Sequence, residues 1–469
     1  MKNRNFLSSA IKLMLLLVML SLDSCQVQDD WLNVKRDKSD ISPKTLDDFQ
    51  AVLDNSNTVN KGYPMLGLTG TDNVYLPDNI LGSVTEPERS AYTWGKSIYL
   101  GAPTGDYSVP YVVIEFCNIV LDGISTLPIS NTQQAQYNNL KGQALFHRAM
   151  SLYNLSQLFC KPFNPSTAGS DPGLQLKVSS DPNQKVKRSS VKETYDFIIS
   201  DLQNALTLLP QQQQYTTRPS KRAAQGLLAK VYLSMQLYQN ALEAATASLG
   251  ENPALLDFNS DKIKPNETFV FPPYSNQLAN EEILYFACGQ SMVSLWPVYT
   301  IGFADSLLYK SYDGNDLRKT LFFKVNTSGR AQFTGSYTGT YLNFSGIATN
   351  ELLLIQAECL ARNQQPVKSR ELLDVLLVKR FKTGTYQKLV SPDNQVLALV
   401  LAERRKELAF TGQLRWEDLR RLNQDPVFAK TLSRTVNGMK VQILPNDNRY
   451  VFEIPEQEIQ LTGVQQNIR

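Results

Sequence analysis

The chain has 469 residues, 42% of them hydrophobic, and a formal net charge of +3. Removal of residues 1–24 takes away three basic residues and Asp23, which leaves a formal charge of about +1. A chain so close to neutrality offers no electrostatic basis for binding nucleic acid. Its length and hydrophobic content are sufficient for a large core.

The first residues have the layout of a bacterial secretory signal. Basic residues precede an unbroken apolar run at 13–20, which is shorter than the roughly 20 residues of a membrane-spanning helix. Leu22 and Ser24 then stand three and one positions before Cys25, as in a bacterial lipobox, although Asp23 departs from that pattern. We predict lipidation at Cys25; the alternative is a cleaved signal in which this Cys is incidental.

A polar stretch follows the predicted lipidation site. Residues 25–45 are interpreted as a tether after a signal peptide at 1–24. The acidic pair Asp29 and Asp30 is similar to the export signal of surface lipoproteins of Bacteroidetes. Trp31, beside the tether, is assigned either to the edge of the folded body or to a partner contact.

Cysteine and histidine usage argues against metal and redox chemistry. Cys117, Cys160, Cys288 and Cys359 are scattered without metal-ligand spacing or a paired motif. We predict free thiols, with a single disulfide as the alternative. The one histidine, His147, lies in a helical pattern and is interpreted as a packed helix residue. The sequence therefore predicts neither a metal site nor a cofactor.

The middle of the chain has helical periodicity. Ser190 and Glu193 form a capping box at the start of one apolar stripe, and Pro210 ends it. Helices or helix pairs are predicted near 110–126, 141–160, 190–209, 219–250 and 350–380.

The pair at 219–250 has the character of a repeat. Ala229, Tyr232, Tyr238 and Ala241 stand at the mutual spacings of a tetratricopeptide repeat, in which small residues let paired helices approach closely. Ser248 replaces a usual Ala, and the Trp expected near the start of the repeat is absent. Because helix pairs cannot bury their apolar faces alone, we predict a mostly α protein in which several pairs stack.

Two segments lack these helical stripes. Residues 56–108 and 255–348 are rich in Gly, Asn, Thr, Pro and aromatic residues, and we predict long irregular loops with short strands there. Loops of this length in a compact protein are functional or disordered. Their aromatic content favours a functional role.

Five stretches share residue patterns with one known family, in the same order over nearly the whole mature chain. They are Tyr111, Ile114, Asn118 and Leu121; Gly142, Ala144, Arg148, Ala149 and Tyr153; Tyr195, Ile199, Asp201, Leu202, Ala205 and Pro210; Arg218, Ala223, Ala224, Ala229, Tyr232, Leu233 and Ala241; and Glu403–Asn423, followed by Ile454-Pro455, Glu458-Ile459 and Gln466-Asn467. From about Leu46 onward the chain resembles the SusD/RagB-type nutrient-binding lipoproteins of the Bacteroidetes. Thr411, His147 and Tyr107 depart from the family pattern.

The resemblance implies a fold, a cellular location and a binding role. The fold would be a tetratricopeptide-like helix-pair superhelix, with an N-terminal helical region at 46–250 and a C-terminal region with binding loops at 251–469. The protein would sit on the outer membrane, lipid-anchored and facing the cell exterior. It would cap a SusC-like TonB-dependent transporter and bind oligosaccharides, or in some members peptides, without performing chemistry.

A dense charged block near the C-terminus is the strongest candidate for catalysis. Glu403 and Glu407 stand on one helix face, and paired carboxylates are what glycosidases need. Several arginines crowd the same region, so we predict structural ion pairs instead. Trp416, in the same block, is predicted to lie in the core.

Aromatic residues in the two irregular segments are the candidate ligand contacts. A flat ring covers the C–H face of a sugar at little cost in conformational entropy. Characterised members of the family use aromatics from similarly placed loops, a regional resemblance only. The candidates are Trp296, Trp94, Tyr299, Tyr75 and Tyr312. The alternative is that these rings pin the loops onto the helices.

The segment Asp313–Asp316 is predicted to form a turn. It slightly resembles a calcium loop but lacks the Glu that an EF-hand requires. Asp316 and Arg318 fit a family D-x-R pattern that we interpret as structural.

Four functions are weighed. The first is a cell-surface glycan-binding lipoprotein that delivers oligosaccharide to the transporter. The others are the same scaffold binding peptides or another polymer, a glycoside hydrolase of the same nutrient system, and a helical-repeat scaffold without ligand or barrel partner.

Overall fold

The computed structural model describes residues 43–102, 104–273, 280–295 and 301–469. The contacts of the chain divide it into two units, Met1–Thr45 and Leu46–Arg469. The architecture below is that of the second unit. Cys25 and Trp31 lie outside the described residues.

Helices dominate the second unit. In chain order they are α1 Leu46–Leu53, α2 Ser56–Val59, α3 Leu66–Thr69, α4 Glu86–Thr93, α5 Gly105–Ser125, α6 Gln134–Phe159, α7 Val191–Leu208, α8 Lys221–Ser234, α9 Tyr238–Leu249, α10 Ser306–Lys310, α11 Arg318–Leu321, α12 Thr349–Arg362, α13 Pro366–Leu377, α14 Val396–Glu407, α15 Leu414–Leu422 and α16 Glu456–Thr462. Short 3₁₀ turns occur at Leu81–Ser83, Asn131–Gln133, Val293–Leu295, Asp393–Gln395 and Asn448–Tyr450.

The strands are short and form antiparallel pairs. They are β1 Val74–Tyr75, β2 Pro172–Gln175, β3 Arg188–Ser190, β4 Ile283–Tyr285, β5 Phe303–Ala304, β6 Phe323–Val325, β7 Ala331–Phe333, β8 Ile347–Ala348, β9 Leu432–Val436 and β10 Met439–Ile443. The pairs are β1 with β5, β2 with β3, β4 with β8, β6 with β7 and β9 with β10.

The long helices stack in chain order. α5 packs on α6, α6 on α7, α7 on α8 and α8 on α9; α9 then packs on α12, which also contacts α13 and α14. The largest apolar core runs through these contacts and includes Phe146, Tyr195 and Leu352. The prediction of a mostly α protein built from stacked helix pairs is confirmed.

Small residues allow the close packing in the predicted repeat. Ala229 and Ala241 are fully buried between α8 and α9. Ser248 is also buried, and its hydroxyl donates a hydrogen bond to the carbonyl of Arg222 at 2.7 Å. A Cβ added at Gly226 of α8 would lie 3.3 Å from the hydroxyl oxygen of Ser248 in α9. The helices therefore approach through a seam of small side chains, as the spacing predicts.

The first irregular segment differs from its prediction. Residues 56–108 contain the short helices α2, α3 and α4 as well as strand β1. α4 is nucleated by a capping box in which Thr85 and Glu88 satisfy each other's backbone donors. This Thr-x-x-Glu signal is visible in the sequence, but α4 is too short to display a helical stripe.

Helix α5 is long and apolar enough to cross a membrane by length and composition alone. It nevertheless carries buried polar groups that are satisfied by the rest of the unit. Asn118 accepts a hydrogen bond from Arg148 at 2.9 Å, and Phe49 of α1 packs directly over Gly123. Through these contacts, α5 packs against other helices of the same unit.

Candidate ligand-binding site

Strands β1 and β5 bring the two irregular segments together. Tyr75 pairs with Phe303 and Val74 with Ala304, although they are far apart in the sequence. The amide of Asp305 also donates to the carbonyl of Asn73 at 2.9 Å. The described parts of the two segments are therefore joined at β1 and β5.

Glu88 of α4 forms a second link between the segments. One of its carboxylate oxygens accepts hydrogen bonds from the amide and hydroxyl of Ser294, both at 2.8 Å. The other oxygen accepts from the amide and hydroxyl of Thr85 at 2.9 and 2.7 Å. Glu88 is 1% exposed, so this carboxylate is a buried tie between α4 and the second segment.

The backbone of the second segment passes close to itself just before β5. A Cβ added at Gly302 would lie 2.3 Å from the carbonyl oxygen of Ser294, so only glycine permits this approach. Trp296 and Tyr299 stand between these two positions in the sequence and lie outside the described residues. Their assignment as ligand contacts stays a prediction.

Trp94 is enclosed by the protein. It caps α4 in a left-handed conformation with φ of 53° and is 2% exposed. Its indole N–H donates to the carbonyl of Gly70 at 2.9 Å, and the guanidinium of Arg434 lies 4.5 Å from its ring centroid. A sugar cannot stack on this ring in the observed conformation. The geometry instead fits the alternative interpretation, in which the ring pins the loop onto the body.

Tyr312 is also enclosed. Its ring is 2% exposed and packs at 5.6 Å from that of Phe323. Its hydroxyl donates to the carbonyl of Lys406 at 2.8 Å. Burial raises the pKa of this phenol well above its ordinary value, against a smaller opposing effect of Arg318. Tyr312 therefore presents no surface to a ligand in this conformation.

Tyr75 is the one exposed ring among the three described candidates. Its side chain is 39% exposed, and the guanidinium of Arg330 lies 5.3 Å from its ring centroid and 5.4 Å from that of Phe303. Tyr75 borders a cleft of about 350 Å³, at the lower end of the size of small-ligand sites. We call this the Tyr75 cleft; its charged lining consists of Asp72, Asp305, Arg405, Lys430 and Arg434.

The Tyr75 cleft combines an aromatic ring with many donors and acceptors. Burial alone would raise the pKa of Asp72, but Arg415, Arg405 and Lys430 hold it well below its ordinary value. Asp72 is therefore a fixed anion, the opposite of the protonated carboxyl that a glycosidase uses as general acid. No group of three or more potential metal-ligating side chains occurs in the part of the chain that the structure describes.

Comparisons with known proteins agree with this architecture. Residues 30–233 match a SusD-like family described as starch-binding and associating with the outer membrane. SusD-like protein P2 of Formosa agariphila is 24% identical over 413 residues, which cover 74% of this chain and 76% of that protein. The chain is therefore similar to SusD-like proteins in both comparisons.

Solved SusD-like structures share the fold over most of the chain. A SusD superfamily protein of Bacteroides thetaiotaomicron has a TM-score of 0.71 at 24% identity and covers 91% of this chain and 100% of its own. A sugar-binding protein of Bacteroides vulgatus, so described, has a TM-score of 0.71 at 22% identity, with 91% and 99% covered. A laminarin-binding SusD-like protein has a TM-score of 0.62 at 18% identity, with 89% and 97% covered. The resemblance drawn from the sequence is confirmed.

The charged block near the C-terminus forms buried ion pairs. Glu407 contacts Arg318 at 3.1 Å and Arg380 at 2.8 Å, and Glu403 contacts Arg318 at 2.8 Å. Arg318 also binds Asp316 through two hydrogen-bonded nitrogens. The predictions of structural ion pairs here and of a structural Asp316–Arg318 pattern are confirmed, as is the burial of Trp416 in the core.

The other predictions about reactive residues also hold. Cys117, Cys160, Cys288 and Cys359 are free and buried, and burial raises the pKa of each thiol. His147 is fully packed, and its Nδ1 lies 3.2 Å from the hydroxyl of Tyr285. Burial lowers the pKa of His147 to about 3, so it is neutral at physiological pH.

Sequence reasoning missed the polar lining of the Tyr75 cleft. Asp72, Lys430 and Arg434 come from separate segments and carry no motif. Arg434 lies on β9. The alternation of apolar and polar residues can predict a strand there, but it does not indicate which residues the strand contacts. Only the pairing of β1 with β5 and the position of β9 bring these groups together.

Proposed function

We propose that this SusD-like chain is a cell-surface lipoprotein that captures oligosaccharide and delivers it to a SusC-like TonB-dependent transporter. One observation carries the proposal: an exposed tyrosine ring borders a polar cleft on a SusD-like body. The outer-membrane association in the family description supports the proposed place of work.

The chemistry of the Tyr75 cleft suits a carbohydrate. An aromatic face covers the C–H groups of a sugar ring, and hydroxyl groups at the rim require hydrogen-bond partners. Lys430 and Arg405 supply donors, and Asp305 supplies an acceptor. Peptide binding is the second candidate.

Trp296 and Tyr299 stay proposed ligand contacts, because in the sequence they lie between Ser294, which is tied to α4, and Gly302. The proposed domain organisation has a signal peptide at 1–24 and a tether at 25–45 that is lipidated at Cys25. A helical region at 46–250 and a binding-loop region at 251–469 follow. The laminarin specificity of one structural neighbour belongs to that protein, and the glycan taken by this chain is left to the binding test.

The test compares two tyrosines of matched environment. Tyr75 and Tyr215 are both 39% exposed, and each has an arginine near its ring, at 5.3 and 5.7 Å. The mature protein is run through affinity gels that contain a panel of polysaccharides, and dissociation constants are measured for the glycan that retards it. Tyr75→Ala should weaken binding by about 1–3 kcal/mol, the range for loss of one stacking contact, while Tyr215→Ala should not.

Two results would redirect the proposal. Binding of peptides with no binding of any glycan would favour the second candidate. Release of reducing sugar by the purified protein, abolished by substitution of one carboxylate, would establish a hydrolase. Recovery of a large barrel protein with this chain from detergent-solubilised outer membranes tests the partner, and its absence would argue against delivery to a transporter.

A further inference from the structure

The Tyr75 cleft has an excess of positive charge. Arg405, Lys430 and Arg434 line it, against the carboxylates of Asp72 and Asp305. Arg415 adds a fourth cation immediately behind Asp72. Three cations thus line the cleft with two carboxylates, and a fourth lies behind Asp72, whereas the whole mature chain is close to neutral.

Asp72 is already saturated by cations. Two nitrogens of Arg415 donate to its two oxygens at 2.7 and 2.9 Å, and Lys430 lies at 2.8 Å. Arg405 is 3.5 Å from the same carboxylate. The carboxylate of Asp72 therefore meets three cations. Arg415 also interacts with Asp418, whereas part of the charge of Lys430 and Arg405 is left for a ligand.

Asp305 does not balance the remaining charge. Its carboxylate caps α10 by accepting from the amides of Leu307 and Leu308 at 3.0 and 3.1 Å. Its contact with Arg405 is 4.0 Å. The carboxylate is mainly occupied with the end of the helix, so it neutralises Arg405 only weakly.

Arg434 has backbone carbonyls as its hydrogen-bond acceptors. It donates to Tyr92, Thr71 and Thr69, and its guanidinium lies 3.9 Å from the ring centroid of Tyr92. Burial lowers its pKa to about 10, so it remains a cation at neutral pH. Carbonyl dipoles and rings stabilise this cation without cancelling its charge.

A second cleft provides a contrast within the same chain. It measures about 480 Å³ and is lined by Lys161 and Arg420 together with Asp171 and Asp447. Among the lining side chains alone, two cations meet two carboxylates there, against three cations and two carboxylates at the Tyr75 cleft. The remaining lining of the second cleft is rich in amide side chains. The excess at the Tyr75 cleft is therefore a local property and not a consequence of overall composition.

We propose that the Tyr75 cleft selects an acidic sugar, one that carries a carboxylate or a sulfate group, with Lys430 as the contact for that anion. The inference rests on the proposed glycan-binding function and names its ligand class. Lys430 is half exposed and its ammonium has three donors, so it can keep Asp72 and still meet a ligand anion. Arg330, beside Tyr75, adds a further cation at the same edge.

The test uses pairs of oligosaccharides that differ only in charge. Oligogalacturonate is compared with its methyl ester, and a sulfated galactan oligosaccharide with its desulfated form, by calorimetry on the mature protein. We expect at least one charged member to bind tenfold or more tightly than its neutral twin, with affinity that falls as salt rises. The pair that shows the preference identifies the carboxylate or the sulfate as the anion.

Substitutions then assign the preference to Lys430. Lys430→Gln should reduce the charged ligand to the affinity of its neutral twin, and Lys430→Arg should retain most of the preference. Lys161→Gln is the matched control, because Lys161 and Lys430 are 52% and 50% exposed and each lies 2.8 Å from its aspartate. This control should leave both affinities unchanged, and thermal melts confirm that each variant is folded.

The two proposals fail in different ways. Equal or tighter binding of the neutral members would overturn the acidic-sugar inference while leaving glycan binding intact. A charge preference that survives in Lys430→Gln would overturn the role of Lys430. Failure of every glycan to bind would overturn the proposed function together with this inference.

Discussion

At the scale of single residues, exposure separates the aromatic candidates. Trp94, Tyr312 and Tyr75 all come from irregular segments, yet the first two are covered and only Tyr75 is open. Trp94 adopts a left-handed conformation that costs an ordinary residue about 1 kcal/mol. Its hydrogen bond to Gly70 and its contact with Arg434 offset that cost. A large ring in a loop is therefore as useful for holding the loop as for contacting a ligand.

Trp296 stays the strongest untested aromatic candidate. Trp296→Ala is expected to weaken glycan binding by about 1–3 kcal/mol, because one ring is removed from the contact surface. Affinity from calorimetry and melting temperature should be measured on the same sample. An unchanged dissociation constant, or a collapsed melting temperature, would contradict the assignment.

Asp106 is a buried carboxyl with an unusual titration. It accepts hydrogen bonds from the amides of Met65 and Leu66 at 2.8 and 3.2 Å. Burial nevertheless raises its pKa from 3.8 to about 6, and Glu88 adds to the rise. The folded state therefore holds this proton more tightly than the unfolded chain does.

Ionisation of Asp106 therefore makes the folded state less stable as the pH rises. Stability from Asp106 is fully present below pH 3.8 and is lost as pH rises through about 6. Asp106→Asn keeps an acceptor for both amides but cannot ionise. The pKa rise from 3.8 to about 6 corresponds to about 3 kcal/mol, at about 1.4 kcal/mol per pKa unit. Between pH 4 and 7 the unfolding free energy of the wild type should therefore fall by up to about 3 kcal/mol relative to that of the variant. Urea unfolding of both proteins at each pH in that range measures the difference. If the unfolding free energy of the two proteins depends on pH in the same way, Asp106 does not have the raised pKa.

At the scale of elements, long helices were predictable and short strands were not. α7 begins at the predicted capping box, and its apolar stripe ends before Pro210. β1 and β5 have two residues each, too few to display any alternation. Their pairing depends on the position of each segment on the helical body, which is information that neither segment contains.

Substitution of Glu88 tests whether α4 positions the ligand-binding segment. Glu88→Ala removes both the helix cap and the contact with Ser294, so we expect weaker glycan binding and lower stability. Glu193→Ala removes an equivalent capping box from α7, far from the cleft in the sequence. It should lower stability without changing affinity. Equal affinities for the two variants, measured by calorimetry, would show that α4 does not position the site.

At the scale of the whole molecule, buried ion pairs tie distant parts of the C-terminal region together. Arg380 joins Glu282 at 2.7 Å to Glu407 at 2.8 Å, and Arg318 joins Asp316 to the same Glu407. All of these side chains are fully buried. An intact buried network adds little net stability, because the cost of desolvation offsets the attraction between the charges, but the loss of one partner leaves a charge without compensation.

Glu407→Ala should therefore destabilise the fold by about 3–5 kcal/mol, since Arg318 and Arg380 would keep buried charges that lack this carboxylate. Urea unfolding measures the loss. Asp196→Ala, which breaks the exposed Lys192–Asp196 pair, should have little effect. A small change in the first variant would mean that water or a neighbouring group replaces the carboxylate.

The same network predicts behaviour in acid. Burial alone would raise the pKa of Glu407, but Arg380 and Arg318 hold it below its ordinary value of 4.5. Its stabilisation is therefore present above pH 4.5 and is lost as pH falls through the lower pKa of the folded state. Glu407→Gln should lose less stability below pH 4.5 than the wild type does, and a steeper loss in the variant would contradict this sign.

The sequence by itself determined the helices, their stacking in pairs and the resemblance to SusD-like proteins. Helical periodicity, capping residues and small residues act over a few turns, so they can be read locally. Only the tertiary structure decided which aromatic rings are open and which cations surround Asp72. Exposure and net local charge depend on segments that meet through β1, β5 and β9, and those contacts arise only when the whole helical body has packed.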